Sequence, residues 1–402
     1  MSEVGFDVTR EYYINDAGNQ MEILGQSVAL RYQELLGTEV EFPEDAYQGE
    51  YIKDLAAELV EEYGAEYEEA VVEGDFSFFA DFAYQKLLSK IEEDLQAFGI
   101  EFDSWFSEQQ LHEEDKVSAA VEELKEAGYL YQDQGALWLK SSEFGDDKDR
   151  VVIKDDGTPT YLAADIAYHN NKFQRGFDEV INVWGADHHG YIERMKAAIE
   201  ALGYNQEALR VIIVQMVTLL REGKQVSMSK RAGNFVTLRD IVEEVGSDAA
   251  RYFYVMRSSD SHLDFDLELA KEESADNPVY YIQYAHARIC SILDQLEENS
   301  VAIKDSSEVD LELLAEDVEL DLMRKLAAYP NELEMSAESR EPHHMARYAY
   351  ELAALFHSFY NKCHVLIEDQ ELMQARVQLV LAAKQVLCNL LSVLGVSAPE
   401  SM

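Results

Sequence analysis

Cysteine is scarce in this 402-residue sequence: three occur, Cys290, Cys363 and Cys388, all in the last third and none in a CxxC pair. That excludes a disulfide framework and a cysteine-rich structural zinc. Cations are scarce as well, with 33 Lys and Arg against 79 Asp and Glu and a formal net charge of −46. A broad polyanion-binding surface is thereby excluded, although net charge governs the long-range field and leaves local basic patches open. No apolar run approaches the roughly 20 residues needed to span a bilayer. The opening MSEVGFDV lacks the basic and apolar regions of a signal peptide. Internal repeats and low-complexity tracts are also missing. The ten histidines include two adjacent pairs, His188–His189 and His343–His344, but none has a partner at metal-site spacing. The expectation is a soluble, cytoplasmic chain with reduced thiols, no protein-bound metal and no membrane partner.

What is present is the material of a folded protein: 47% hydrophobic and 11% aromatic residues, enough at this length for two domains. DVTREYYIN alternates like a strand, and GNQMEILGQSVALRYQELLG reads as an amphipathic helix closed by Gly37. Helical periodicity continues near 46–63 and 77–98, followed by a strand-like FDSWFS, a helix at 114–126 and a hairpin through YLYQDQGALWLK.

From about 150, strands alternate with helices: RVVIK, TYLAADIAYHNNKF, EVINVWG, HHGYIERMKAAIEALG, LRVIIVQMV. Continuous apolar strands alternating with helices of this length indicate a doubly wound parallel sheet. Beyond about 265 every segment is helical, at 267–276, 279–298, 311–328, 343–366 and 371–394, with Pro278, Pro330 and Pro342 at boundaries.

Ligands of such sheets bind at the carboxyl ends of the strands. One end is WGADHHGY, placing Gly185, Asp187, His188 and His189 together; the other is VQMV, with Gln215, Met216 and Val217, leading into SMSKRAGN. Glycine admits a nucleotide close to the backbone, and a basic loop suits an anion. Lys230, after Met228 and Ser229, can meet phosphates as charge develops on them. Tyr161 and Asp165 fall at i and i+4, and an acid within the apolar YLAADIAYH needs a cation if it faces inward. Each motif also has a plainer reading, as a capped helix start, a basic surface turn or a solvated aspartate.

The combination is more specific than its parts. SMSKRAGNFVTL resembles the KMSK loop of class I aminoacyl-tRNA synthetases. TYLAADIAYHNNKFQRGFDEVINVWGADHHGY, NPVYYIQYAHARI and the ending LGVSAPESM resemble the bacterial arginyl-tRNA synthetase family, and the likeness runs from VTREYYINDAGNQ to the last residue. The resemblance implies an incomplete doubly wound, Rossmann-like catalytic domain over 1–265, with an insertion at about 65–150, and an all-helical anticodon-binding domain over 266–402.

It further implies an ATP-dependent ligase that forms arginyl-adenylate and transfers arginine to tRNA(Arg), as a monomer, with Mg2+ accompanying the nucleotide. Lys230 and Ser229 take the catalytic role. ATP falls to Gly185, Asp187, His189, Gln215, Met216, Val217, Met228 and Lys230, and arginine to Tyr161, Asp165 and His188. Anticodon contacts fall to Tyr281, Gln283, His286, Arg288, Arg347 and Tyr360. A basic strip is expected there, drawn from Arg288, Arg324, Lys325, Arg340, Arg347, Lys362, Arg376 and Lys384.

Two departures stand out. Ser227 replaces the first lysine of the loop, and no HxGH-type signature occurs among the histidines. In the family that signature precedes the strand matched by VTREYYIN. The expectation is a C-terminal portion with little activity alone; a non-catalytic paralogue or split subunit that binds tRNA or a partner is the alternative.

Overall fold

The computed structural model describes residues 1–226 and 236–402. In chain order, β1 (Glu11–Ile14) leads into helices α1 (Asn19–Leu35), α2 (Glu50–Tyr63), α3 (Glu68–Glu73) and α4 (Ser77–Ala97). These four helices bury a core of their own around Val28, Tyr32, Ile52, Leu59 and Phe79. The chain then returns as β2 (Ser104–Ser107), which pairs in parallel with β1 from Glu11↔Ser104 to Ile14↔Ser107. Helices α5 (Glu108–Glu113) and α6 (Lys116–Glu126) follow.

The hairpin of β3 (Leu130–Asp133) and β4 (Ala136–Leu139) forms as expected. Its two linking residues, Gln134 and Gly135, have φ of 49° and 87°, the doubly left-handed turn that matches strand twist. Strand β5 (Arg150–Ile153) corrects one expectation. It pairs antiparallel with β4 and so extends the hairpin into a three-stranded sheet, outside the parallel alternation.

The alternation begins with α7 (Tyr161–Gln174), then β6 (Val180–Gly185), α8 (Ile192–Ala201) and β7 (Leu209–Val214). β6 and β7 run parallel from Val180↔Leu209 to Gly185↔Val214. LRVIIVQMV, read as one strand, is two. The chain breaks at Gln215, whose N–H donates to Ser259 O at 2.8 Å. Strand β8 (Val217–Arg221) then joins a different sheet, antiparallel to β9 (Lys224–Gln225) and parallel to β10 (Leu263–Asp266). Between them stand α9 (Leu238–Val245) and α10 (Ser247–Val255).

All later elements are helices: α11 (Leu267–Lys271), α12 (Pro278–Glu298), α13 (Asp317–Ser339), α14 (His343–Lys362) and α15 (Gln370–Leu394). Pro330 was expected to end a helix but lies inside α13. An interior proline costs about 3 kcal/mol in an isolated helix. Here α13 packs along α14 with Leu322 and Tyr329 buried, and that burial offsets the cost. α15 is long and apolar enough by length and composition to cross a membrane, although Gln378, Lys384, Gln385 and Asn389 interrupt its apolar residues. Its apolar residues Val377, Val380, Leu387, Leu390 and Leu391 are buried in one core with Ile282, Leu352 and Phe356.

Candidate active site

A cleft of about 650 Å³ lies between β1, α7 and β6, with Tyr13, Asp165, Tyr168 and Lys172 among its walls. Tyr161 opens α7 and is 77% exposed, whereas Asp165, one turn on, sits among the buried Ala164, Ile166 and Ala167. Asp165 Oδ2 accepts a hydrogen bond from Tyr191 OH at 2.9 Å. Burial pushes its carboxyl up to about 6; the Tyr191 bond opposes the rise, and the charge of Glu108 adds to it.

The same region offers an internal comparison. Glu11, also half-buried, accepts from Arg175 Nη1 at 2.7 Å and Nη2 at 3.0 Å, and from Tyr168 OH at 2.7 Å. Burial pushes Glu11 up, but the Arg175 fork and Tyr168 outweigh it and hold the carboxyl below its ordinary value. Among the described residues, no Lys or Arg forms an ion pair with Asp165. A buried carboxylate without a guanidinium rises, and one with a guanidinium falls. Asp165 is shaped to take a cation.

Polar residues beneath Asp165 hold its turn of helix. His169 Nδ1 lies 2.7 Å from Asp165 O, Asn182 Nδ2 lies 2.6 Å from His169 Nε2, and Lys172 Nζ donates to Asn182 Oδ1 at 3.2 Å. With Asn182 donating to Nε2, Nδ1 carries the ring proton. Burial and the charge of Lys172 push His169 down to about 3, so it stays neutral. Burial likewise lowers Lys172 to about 8, with its ammonium 3.9 Å from the Tyr168 ring centre.

At the end of β6 the chain turns through 186–191 as a 3-10 helix. A Cβ on Gly185 would meet only Asp187 Oδ1, at 2.7 Å, the end of an exposed side chain that can turn away. Asp187, His188 and His189 are exposed, with His188 Nε2 3.7 Å from Asp187 Oδ2. His188 stands beside Trp184 and Tyr191, with ring centres 6.0 and 6.5 Å away. Asp165 and His188 thus both adjoin Tyr191, while Tyr161 is exposed at the start of α7; Gln215, Met216 and Val217 follow the neighbouring β7, with Met216 73% exposed. Met228, Ser229 and Lys230, with Ser227, lie outside the described residues. After them a capping box starts α9: Thr237 N donates to Asp240 Oδ2 at 2.8 Å, and Asp240 N to Thr237 Oγ1 at 3.0 Å.

Sequence spacing missed Tyr191, Glu108, Tyr13 and Lys172. Tyr191 ends the GADHHGY motif and was within reach; Glu108 and Tyr13 come from distant segments. Burial raises Glu108, whose partner is the Tyr13 hydroxyl.

On the helical side, Arg288 lies between two rings, 4.6 Å from the centre of Tyr284 and 4.3 Å from that of Tyr360. Tyr281 adjoins Tyr350 and His357, with ring centres 5.2 and 4.6 Å away. Two expected anticodon residues are placed otherwise. Gln283 is buried and donates to Asp248 Oδ2 at 2.8 Å and Ser397 O at 3.0 Å. His286 is buried too, with Nδ1 2.8 Å from Pro399 O and Nε2 3.1 Å from Cys388 Sγ. Both tie the C-terminal segment down, so neither presents its polar edge to solvent. The expected basic strip is also thinned: Arg324, Lys325, Arg340, Arg347 and Arg376 each pair with an acid.

Two family models match the chain. One describes the class I tRNA synthetase (R) catalytic domain and covers residues 1–288; the other describes the DALR anticodon binding domain and covers 282–402. The arginine–tRNA ligase of Syntrophotalea carbinolica is 52% identical over 402 residues, which is 100% of this chain and 73% of the relative. That of Citrifermentans bemidjiense is 54% identical over 403 residues, with the same coverage. A Campylobacter jejuni structure assigned as an arginyl-tRNA synthetase superposes with a TM-score of 0.91 at 40% identity, covering 100% of this chain and 86% of that one. The Thermus thermophilus arginyl-tRNA synthetase shares the fold, with a TM-score of 0.79 at 23% identity over 100% of this chain and 77% of that one.

Proposed function

Because the chain belongs to the arginyl-tRNA synthetase family, the class I ATP-dependent arginine–tRNA ligases, we propose that Asp165 grips the arginine side chain. The observation that carries this is the buried carboxylate, raised by burial and, among the described residues, hydrogen-bonded by the Tyr191 hydroxyl. A guanidinium presents a planar fork to a carboxylate and restores its charge, as Arg175 does for Glu11. Tyr161 and His188 complete the arginine pocket.

ATP lies along the strand ends, against Gly185, Asp187, His189 and the backbone of Gln215, Met216 and Val217. Met228, Ser229 and Lys230 serve its phosphates, with Mg2+ as counter-ion. In this reading an arginine carboxylate oxygen attacks the α-phosphorus and pyrophosphate leaves. A ribose hydroxyl at the tRNA end then attacks the carbonyl and releases AMP. Tyr281, Arg288, Arg347 and Tyr360 meet tRNA(Arg); Gln283 and His286 leave that list, being spent on the C-terminal segment.

Calorimetric titration with arginine and with citrulline, its neutral isostere, tests the central assignment. The wild-type chain should prefer arginine, and Asp165→Asn should erase the preference, a change of about 2–5 kcal/mol. An Asp165→Asn protein that still favours arginine as strongly would overturn the assignment.

A further inference from the structure

The turn joining α13 to α14 gathers three side chains that the proposed reaction does not use. Glu341, His343 and His344 each bring one ligand atom, all within 4.8 Å of one another. Glu341 Oε2 lies 3.7 Å from His344 Nε2, and the two imidazole rings stand edge-to-face with centres 4.3 Å apart. The group is pre-set by backbone. Glu341 N–H donates to Ser336 O at 3.0 Å, Ser336 Oγ donates to Glu341 O at 2.8 Å, and His344 N–H donates to Glu341 O at 3.1 Å. Pro342 stands between the carboxylate and the first imidazole as the N-cap of α14.

From this geometry we propose that Glu341, His343 and His344 bind a divalent transition-metal ion of the zinc class, with an open fourth position. Two imidazoles and a carboxylate are the donor set of an open zinc site, whereas Mg2+ and Ca2+ prefer oxygen alone. Bonds of about 2.0–2.2 Å in a tetrahedron place ligand atoms roughly 3.3–3.6 Å apart, so the three side chains, now within 4.8 Å of one another, draw together on binding. Binding needs neutral imidazoles, and burial together with the charge of His344 lowers His343 below its ordinary range. The charged groups facing His343 are His344, Glu341 and Arg347 from its own turn and Asp260 from the loop before β10. Arg347 leans toward Glu351, with Nε 3.8 Å from Oε1. The net charge of −46 also raises the local concentration of cations.

The test is titration of the full chain with Zn2+ by calorimetry and with Co2+ by visible absorption. One ion per chain should bind, with Co2+ giving the bands of a low-coordinate nitrogen and oxygen site. His343→Gln or His344→Gln should each weaken binding about tenfold or more, and Glu341→Gln less, because imidazole is the stronger donor. The double histidine variant should lose the site while His112→Gln keeps it, with circular dichroism reporting the fold of each. Wild-type protein that takes up no Zn2+ at micromolar concentration, or a folded double variant that binds it unchanged, overturns the proposal. The outcome is independent of the arginine pocket.

Discussion

The hydroxyl of Tyr191 lies 2.9 Å from Oδ2 of Asp165, and its hydrogen bond favours the charged carboxylate against the rise that burial imposes. The residues come from different elements, the 186–191 turn and α7. Their meeting determines how the acid titrates. Asp165 rises from 3.8 to about 6 in the fold, so the folded state holds the proton more tightly than the unfolded chain does. Its stabilising effect is complete below pH 3.8 and is lost as pH rises through about 6. Asp165→Asn should therefore stabilise the arginine-free protein at pH 7, by about 1–3 kcal/mol, while arginine affinity collapses. Unfolding curves at pH 4 and pH 7 check this, because the gain must vanish at the lower pH.

Tyr191→Phe removes the donor that holds Asp165 down. Arginine affinity in wild-type protein should fall as pH drops through about 6, where the carboxyl takes up its proton. In Tyr191→Phe the same fall should begin at higher pH, with a loss of about 1 kcal/mol in stability. An unchanged affinity–pH profile would place Tyr191 outside the site.

His169 and Asn182 predict an acid sensitivity of opposite sign. His169 falls from 6.5 to about 3 on folding, so its neutral form stabilises the protein above pH 6.5, and that stability is lost as pH falls toward 3. Asn182→Ala leaves the Nε2 of buried His169 without its partner, at about 1–3 kcal/mol. Urea unfolding at pH 7 should show that loss, while wild-type protein loses stability as pH falls below 6.5.

Gln283→Ala and Asp248→Ala should act on stability and leave tRNA affinity alone. Asp248 accepts from Ser397 N at 3.0 Å and from Gln283 at 2.8 Å, and it also accepts from the Ser397 hydroxyl. Each change should cost about 1–3 kcal/mol by orphaning these groups. A filter-binding isotherm of folded Gln283→Ala that weakens tenfold would return Gln283 to the tRNA surface.

Arg288 should behave in the reverse manner. Held between Tyr284 and Tyr360, it has both faces covered and offers its charge to phosphate. Arg288→Lys keeps the charge and loses the planar stack, so tRNA affinity should drop several-fold with the salt slope nearly unchanged. The five paired cations leave few phosphate contacts, and affinity should fall only shallowly with added salt. A steep loss in a salt titration would show many more contacts than this surface offers.

What the sequence determined by itself is local. Periodicity set the amphipathic helices and the hairpin through YLYQDQGALWLK, while the apolar run around Asp165 left open whether the acid faces inward or to solvent. Each depends on residues within a few positions of one another, where 3.6- and 2-residue repeats hold regardless of the rest of the fold. Tertiary structure decided what such repeats do not encode. β5 joined the hairpin because β4 offered an antiparallel edge, and VQMV split because Ser259 captured the Gln215 N–H. Gln283 and His286 look like RNA contacts on a helix rich in tyrosine, yet a tail more than a hundred residues away covers them. Asp165 drew Tyr191 and Glu108 from separate elements, and its titration combines its burial, the Tyr191 hydrogen bond and the charges of Glu108, His188 and Lys172. Hydrogen bonds and desolvation act over a few ångströms of space, and only the folded chain sets which distant residues share that space.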